Sequence, residues 1–188
     1  MFMPGMNRTH TFVSYHDCNV ILSARGGIYA QGAHYKGDAL VKTIEQEKLV
    51  YESASILFSM SDWLKMSLVQ DFGISEKKII NVYAGFNLPP KHFDKNYDGR
   101  TILFVGKNSE RKGGPTLLKV FETVRKAIRD AKLIIIGGRL KLNSDGVLVL
   151  GLINDPQLLP KYSREASVFV LPSRFEAFGI AFPEAFAS

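Results

Sequence analysis

With 188 residues, 46% of them hydrophobic and 22% charged, the chain has the composition of one or two globular domains rather than that of an intrinsically disordered chain. Lysine and arginine exceed aspartate and glutamate by 24 − 18 = 6, which suits a phosphate-bearing ligand, nucleic acid, an anionic membrane surface or a plain solvated surface. Cys18 is the one cysteine, so an internal disulfide is excluded and a reducing, cytoplasmic setting is expected; no apolar run reaches the roughly 20 residues of a membrane helix.

In chain order, residues 11–15 read as a strand ending at His16-Asp17. Asp38–Ser53 predicts a helix, 54–59 a strand, 62–72 a helix and 78–83 a strand. Residues 84–100, with Pro89-Pro90 and Gly99, carry no periodicity and read as an inter-domain linker. The expected domains are 1–90 and 101–188, with 91–100 between them. Thr101–Val105 is a strand closed by Gly106, and Pro115 stands at a first helical position. Leu117, Phe121, Val124 and Ile128 follow at spacings of 4, 3 and 4, one face of a helix. Lys132–Ile136 is a strand closed by Gly137-Gly138, and 146–150 is another. Asp155-Pro156 opens a helix carrying Leu158, Leu159 and Tyr162; 167–171 is a strand, and a last helix begins near Gly179. From Thr101 on, the strands are continuous Val/Ile/Leu runs, as expected where a parallel sheet is covered on both faces.

Two segments carry chemistry. The loop G-K-N-S-E-R-K-G-G over 106–114 leaves the carboxyl end of a strand, where ligands sit in open parallel sheets. Its glycines admit close backbone approach and its three cations suit phosphate, although a solvated basic turn before a helix has the same composition. It lacks the spacing of a Walker A loop. The second segment, L-P-S-R-F-E-A-F-G-I-A-F-P-E-A-F, passes from a buried strand to a helix start. Main-chain N–H groups of Phe178, Gly179 and Ile180 would be unpaired there, an anion seat. Glu176 and Glu184 flank the turn; Glu184 also has a plain explanation in the dipole of its helix, and Glu176 in simple exposure.

The run F-E-A-F-G-I-A-F-P-E-A resembles the Glu-x7-Glu motif, E-G-F-G-x-x-x-x-E-A, of the retaining GT-B glycosyltransferases of family 4, with Ala177 in place of Gly. F-V-G-K-N-S-E-R-K-G is similar to that family's F-V-G-R-x-x-x-x-K-G loop, with Lys107 in place of Arg and Lys112 as its lysine. L-I-I-I-G-G, L-V-L-G-L-I and S-V-F-V-L-P-S match further family strands in order. In the first half Y-H-D resembles the family's His-Asp at a strand end, and A-S-I-L-F-S-M-S-D-W and K-I-I-N-V-Y-A-G-F-N its last elements before the domain crossover.

The resemblance implies an α/β fold of GT-B type, two Rossmann-like parallel-sheet domains, both incomplete in a chain expected to be a fragment. It implies hexosyl transfer from a nucleoside-diphosphate sugar to a sugar, lipid or other hydroxyl acceptor, with retention of configuration. A non-catalytic nucleotide-sugar-binding remnant or interaction module is the alternative. By the same resemblance, Lys107 and Lys112 would hold the diphosphate beside Gly106, and Phe178, Gly179 and Ile180 would cradle it. Glu176 would orient donor hydroxyls, Glu184 would meet the ribose, Gly151 and Ile153 the base, and His16 would line the cleft. Catalytic roles would fall to His16, Glu176 and Lys112. No cofactor or metal is expected, since His10, His16, His34 and His92 are scattered. Nucleic acid is not expected, because no basic stretch interleaved with aromatics and no helix-turn-helix pattern occurs. A cytoplasmic protein touching the inner face of a membrane fits the basic excess.

Overall fold

The computed structural model describes residues 11–26, 36–85, 97–138, 144–153, 155 and 157–187. His10, His34, His92, Pro89-Pro90, Pro156 and residues 86–96 of the linker lie outside the described residues. The chain divides into two compact units, Met1–Ala84 and Gly85–Ser188.

Among its described residues the first unit carries three parallel strands in the order β1-β2-β3: β1 (Val13–His16), β2 (Ile56–Ser59) and β3 (Ile79–Asn81). Helices α1 (Val20–Arg25), α2 (Asp38–Ser53) and α3 (Asp62–Gln70) contribute, with the strands, to a single core around Leu22, Tyr51, Leu57, Leu64, Leu68 and Ile79. The sequence pattern of α2 sets its ends correctly. The six-residue α1 was not anticipated; Asn19 starts it, its Oδ1 accepting the Leu22 N–H at 2.8 Å while its Nδ2 donates to Ser67 Oγ at 2.9 Å. α3 stops two residues short of the expected 72. Gly73 takes φ +69°, which lets the Gly73 and Ile74 N–H groups close on the carbonyls of Val69 and Leu68. β2 starts at Ile56 rather than 54, because the Ala54 N–H still closes α2 on Val50.

Among its described residues the second unit carries a four-stranded parallel sheet in the order β6-β5-β4-β7, from β4 (Thr101–Val105), β5 (Lys132–Ile136), β6 (Val147–Gly151) and β7 (Val168–Phe169). Helices α4 (Gly114–Ala127), α5 (Leu158–Glu165) and α6 (Ala181–Phe186) accompany it. Both faces are packed, as the continuous apolar runs require. Phe104, Leu133 and Ile135 meet Leu117 and Phe121 of α4, while Leu103, Ile134 and Ile136 meet Leu159 and Tyr162 of α5. Ile128 leaves the expected helical face: α4 ends at Ala127 and Ile128 is extended and 42% exposed. Of the strand expected over 167–171 only Val168–Phe169 forms a ladder, although Ser167 N–H and Val170 N–H still reach the carbonyls of Thr101 and Leu103.

Candidate functional site

The strand order decides where a ligand can sit. From β4 the chain runs to β5 and β6 on one side, then returns to lay β7 against the other side of β4. The connections therefore reverse direction between β4 and β7. In an open α/β sheet the crevice beyond the carboxyl ends of the strands at that reversal is the binding position. The two loops that leave this point are 106–113 after β4 and 170–180 after β7, and they are the two segments that the sequence marks as chemical.

The loops are fastened together. Arg174 donates its N–H to the Arg111 carbonyl at 3.0 Å, and Arg111 Nη1 donates to the Phe175 carbonyl at 2.9 Å. Lys112 Nζ pairs with Glu176 Oε2, and Ser173 Oγ donates to the same oxygen at 3.2 Å. That pair is largely shielded, with side-chain exposures of 13% and 23%. Gly113 lies against Pro172 in a left-handed conformation, φ +80°; a Cβ there would come within 2.0 Å of the Pro172 carbonyl oxygen. Within the first loop the N–H groups of Arg111 and Lys112 bond Asn108, and that of Gly114 bonds the Ser109 carbonyl. Gly106 is buried and anchored to β5 by its N–H on the Ile136 carbonyl at 2.8 Å.

Lys112, Glu176 and the turn after it thus share one locality. Gly179 is buried at φ +84°, and a Cβ on it would meet Glu176 Cγ at 3.0 Å. Among the described residues none accepts a hydrogen bond from the N–H of Phe178, Gly179 or Ile180. Phe178 is half-buried, and Ile180 is 41% exposed and already helical at the start of α6. Glu184 lies in the first turn of α6, half-buried and with its own partners. Lys107 is exposed one residue beyond Gly106. Gly151 ends β6 at φ +65°, its Cβ direction facing open space, and its carbonyl receives the Gly137 N–H; Ile153 packs on the α5-side core. Arg111 and Ser173 were not singled out from sequence. Arg111 was visible there as the third cation of the loop, but its partner is a main-chain carbonyl 64 residues away.

His16 belongs to the first unit. It ends β1 in register with Ser59 of β2, and Ser59 pairs with Asn81 of β3. Its Nε2 is 2.6 Å from Ser14 Oγ, and its ring meets Tyr51 edge-on at 5.1 Å. Burial pulls the imidazole below its ordinary value while Asp17 pulls the other way, so the ring is biased toward the neutral form. Beside it, Ser59 Oγ is buried with no hydrogen-bond partner among the described residues.

A cavity of about 670 Å³ opens at the opposite, amino-terminal end of the second sheet, lined in part by Thr101, Lys132, Val147 and Tyr162. It is remote from Lys112 and Glu176 along the strands and contains none of the expected site residues. Among the described residues no cluster of three metal-ligating side chains occurs, and no helix is long and apolar enough to cross a membrane.

Residues 99–188 match the family model described as glycosyl transferases group 1, nearly the whole of the second unit. The second unit is a group 1 glycosyltransferase domain. The chain is 28% identical over 184 residues to an uncharacterized glycosyltransferase of Methanocaldococcus jannaschii, covering 84% of this chain and 46% of that protein. It is 25% identical over 175 residues to the mannosylfructose-phosphate synthase of Agrobacterium fabrum, covering 77% of this chain and 38% of that protein. The chain thus spans less than half the length of these two relatives. Among solved structures, a S. aureus TarM complex with fondaparinux, alpha-GlcNAc-glycerol and UDP aligns at TM-score 0.64 and 15% identity, over 85% of this chain and 33% of that one. The pneumococcal O-GlcNAc transferase GtfA in complex with UDP and GlcNAc aligns at 0.61 and 14%, over 78% of this chain and 31% of that one. These structural likenesses give the chain the GT-B fold type, with Rossmann-like parallel sheets.

Proposed function

We propose that this chain serves glycosyl transfer from a nucleoside-diphosphate sugar, with the donor bound in the second unit at the β4–β7 reversal and the acceptor met by the first. The observation that carries the reading is the fastening of the 106–113 loop to the 170–180 loop, with Lys112, Glu176 and free main-chain N–H groups at the carboxyl edge of the sheet. The family match and the UDP complexes of proteins with the same fold support it.

In this reading Lys107 and Lys112 face the diphosphate, Phe178, Gly179 and Ile180 offer it N–H dipoles, and Gly106 admits it closely. Glu176 holds donor-sugar hydroxyls, Glu184 the ribose, and the backbone at Gly151 and Ile153 the base. His16 lines the acceptor side. Breaking the anomeric C–O bond leaves negative charge on the departing diphosphate, and fixed cations and N–H dipoles stabilise it without reorganising. The acceptor oxygen forms the new bond at the same carbon, and its proton passes to a departing phosphate oxygen on the same face, which retains configuration. The chemistry invokes no metal, because the phosphate charge is met by side chains and main chain. Lys107 supplies a single point charge where arginine would supply a fork, so its hold on the diphosphate is the weaker kind.

The test is calorimetric titration with UDP, GDP and ADP and their sugar conjugates, followed by assay of released nucleotide and of the product's anomeric configuration. Nucleotide binding with sugar release to an acceptor is the expected result. Binding without turnover, also after extension of the chain to its relatives' length, would identify a non-catalytic nucleotide-sugar-binding module. Absence of nucleotide binding would remove the donor site.

A further inference from the structure

Tyr51 is 1% exposed, yet it is a tyrosine and not a phenylalanine. Its ring is wedged between two others, edge-on to His16 at 5.1 Å and 89° and to Phe72 at 5.0 Å and 88°. Buried in this way, a phenol needs a partner for its hydroxyl. The partner is Glu47, one turn earlier on α2, whose Oε2 accepts the Tyr51 hydroxyl at 3.1 Å. The same oxygen accepts the Val20 N–H at 3.0 Å, at the first residue of the helix that follows His16 and Asp17. One carboxylate therefore fixes both the ring beneath His16 and the segment leading away from it. On the strand side Ser14 Oγ holds Nε2 at 2.6 Å. Among the described residues Nδ1 has no hydrogen-bond partner, so Nε2 is the ring nitrogen that the protein holds.

We propose that Tyr51 and Glu47 are positioning residues for His16: the Glu47–Tyr51 hydrogen bond sets the plane of the imidazole, and Ser14 sets its tautomer. The inference rests on the reading of His16 as a site residue. A purely structural role for the pair ends with satisfying the buried phenol and the Val20 N–H, and predicts a His16 ring unaffected by loss of the Tyr51 hydroxyl. A positioning role ties the state of the ring to a hydroxyl and a carboxylate that do not bond to it.

The experiment uses the full chain labelled with 15N in its histidine rings. Wild-type His16 is expected to show one sharp pair of ring nitrogen resonances, a single neutral tautomer at neutral pH. Tyr51→Phe keeps both ring contacts and removes only the hydroxyl; Glu47→Gln keeps the shape and weakens the acceptor. Both are expected to give averaged or broadened His16 resonances while circular dichroism stays native, and Ser14→Ala is expected to shift the tautomer ratio. Wild-type His16 resonances should also respond to UDP-glucose, GDP-mannose or ADP-glucose. Unchanged His16 resonances in folded Tyr51→Phe and Glu47→Gln proteins would overturn the positioning. Altered resonances in the variants, with no response of the wild-type ring to any of the three donors, would overturn the reading of His16 itself. Should Glu47→Gln fail to fold, the Tyr51→Phe and Ser14→Ala spectra decide.

Discussion

Lys112 stands between two demands. It neutralises Glu176 in a shielded position and, on the donor-site reading, would also face the diphosphate. Charge-assisted bonds of this kind contribute about 1.5–3 kcal/mol, so Lys112→Ala should weaken nucleotide-diphosphate affinity roughly ten- to a hundredfold by calorimetry. Lys42→Ala, on the exposed side of α2, should leave that affinity unchanged. Gly113 is the other residue on which the site turns. Gly113→Ala forces a Cβ toward the Pro172 carbonyl from a left-handed backbone. It should cost roughly 2–4 kcal/mol of stability in urea unfolding, the left-handed strain and the overpacking together. Lys112 could be singled out from sequence by its place in the family's F-V-G-R-x-x-x-x-K-G pattern, while Gly113 stood there only as one of the loop's three glycines. The reason for Gly113 could not be read there, because the atom it makes room for belongs to Pro172.

At the scale of elements, legibility followed how local the cause was. α2 has its exact bounds in the sequence, since a long periodic run and a break after Ser53 are both local signals. α1 was lost because six residues are too few for periodicity, and Asn19 announces it only once its side chain is seen capping. β7 was read three residues too long, because the apolar run continues while its partner strand β4 is matched only at Ile102 and Leu103. What joins β4 and β7 at their starts is Asp98, whose carboxylate accepts from the N–H groups of Arg100 and Thr101 and the hydroxyls of Thr101 and Ser167. Those donors, the Thr101 hydroxyl first, hold the Asp98 carboxyl far below the usual carboxylate range. A depressed carboxyl stabilises the fold fully above its unfolded value of about 3.9 and loses that contribution as pH falls through the folded one. Asp98 is exposed, so the effect is screened. Asp98→Asn should cost about 1 kcal/mol at pH 7 and flatten the acid limb of the melting-temperature profile below pH about 4.

At the scale of the molecule, each unit depends on its own core. Leu103 is fully buried in the sheet that carries the loops, on the face covered by α5. Leu103→Ala should cost about 2–5 kcal/mol, read as lost amide protection in β4 and β5 by hydrogen exchange. The α/β class and the run of elements from Thr101 were legible because parallel strands buried on both faces write themselves as unbroken Val/Ile/Leu segments. The strand order was not, since nothing local tells β7 to cross back to β4 rather than extend the sheet beyond β6. That order has a consequence for synthesis. The two lips of the crevice leave the ribosome 64 positions apart, as Lys112 and Glu176 are. A nascent chain that has emerged only as far as β6 therefore holds one of the two loops that fasten together around Lys112 and Glu176. On the donor-site reading, nucleotide capture would begin only when the segment after Val168 has emerged and docked.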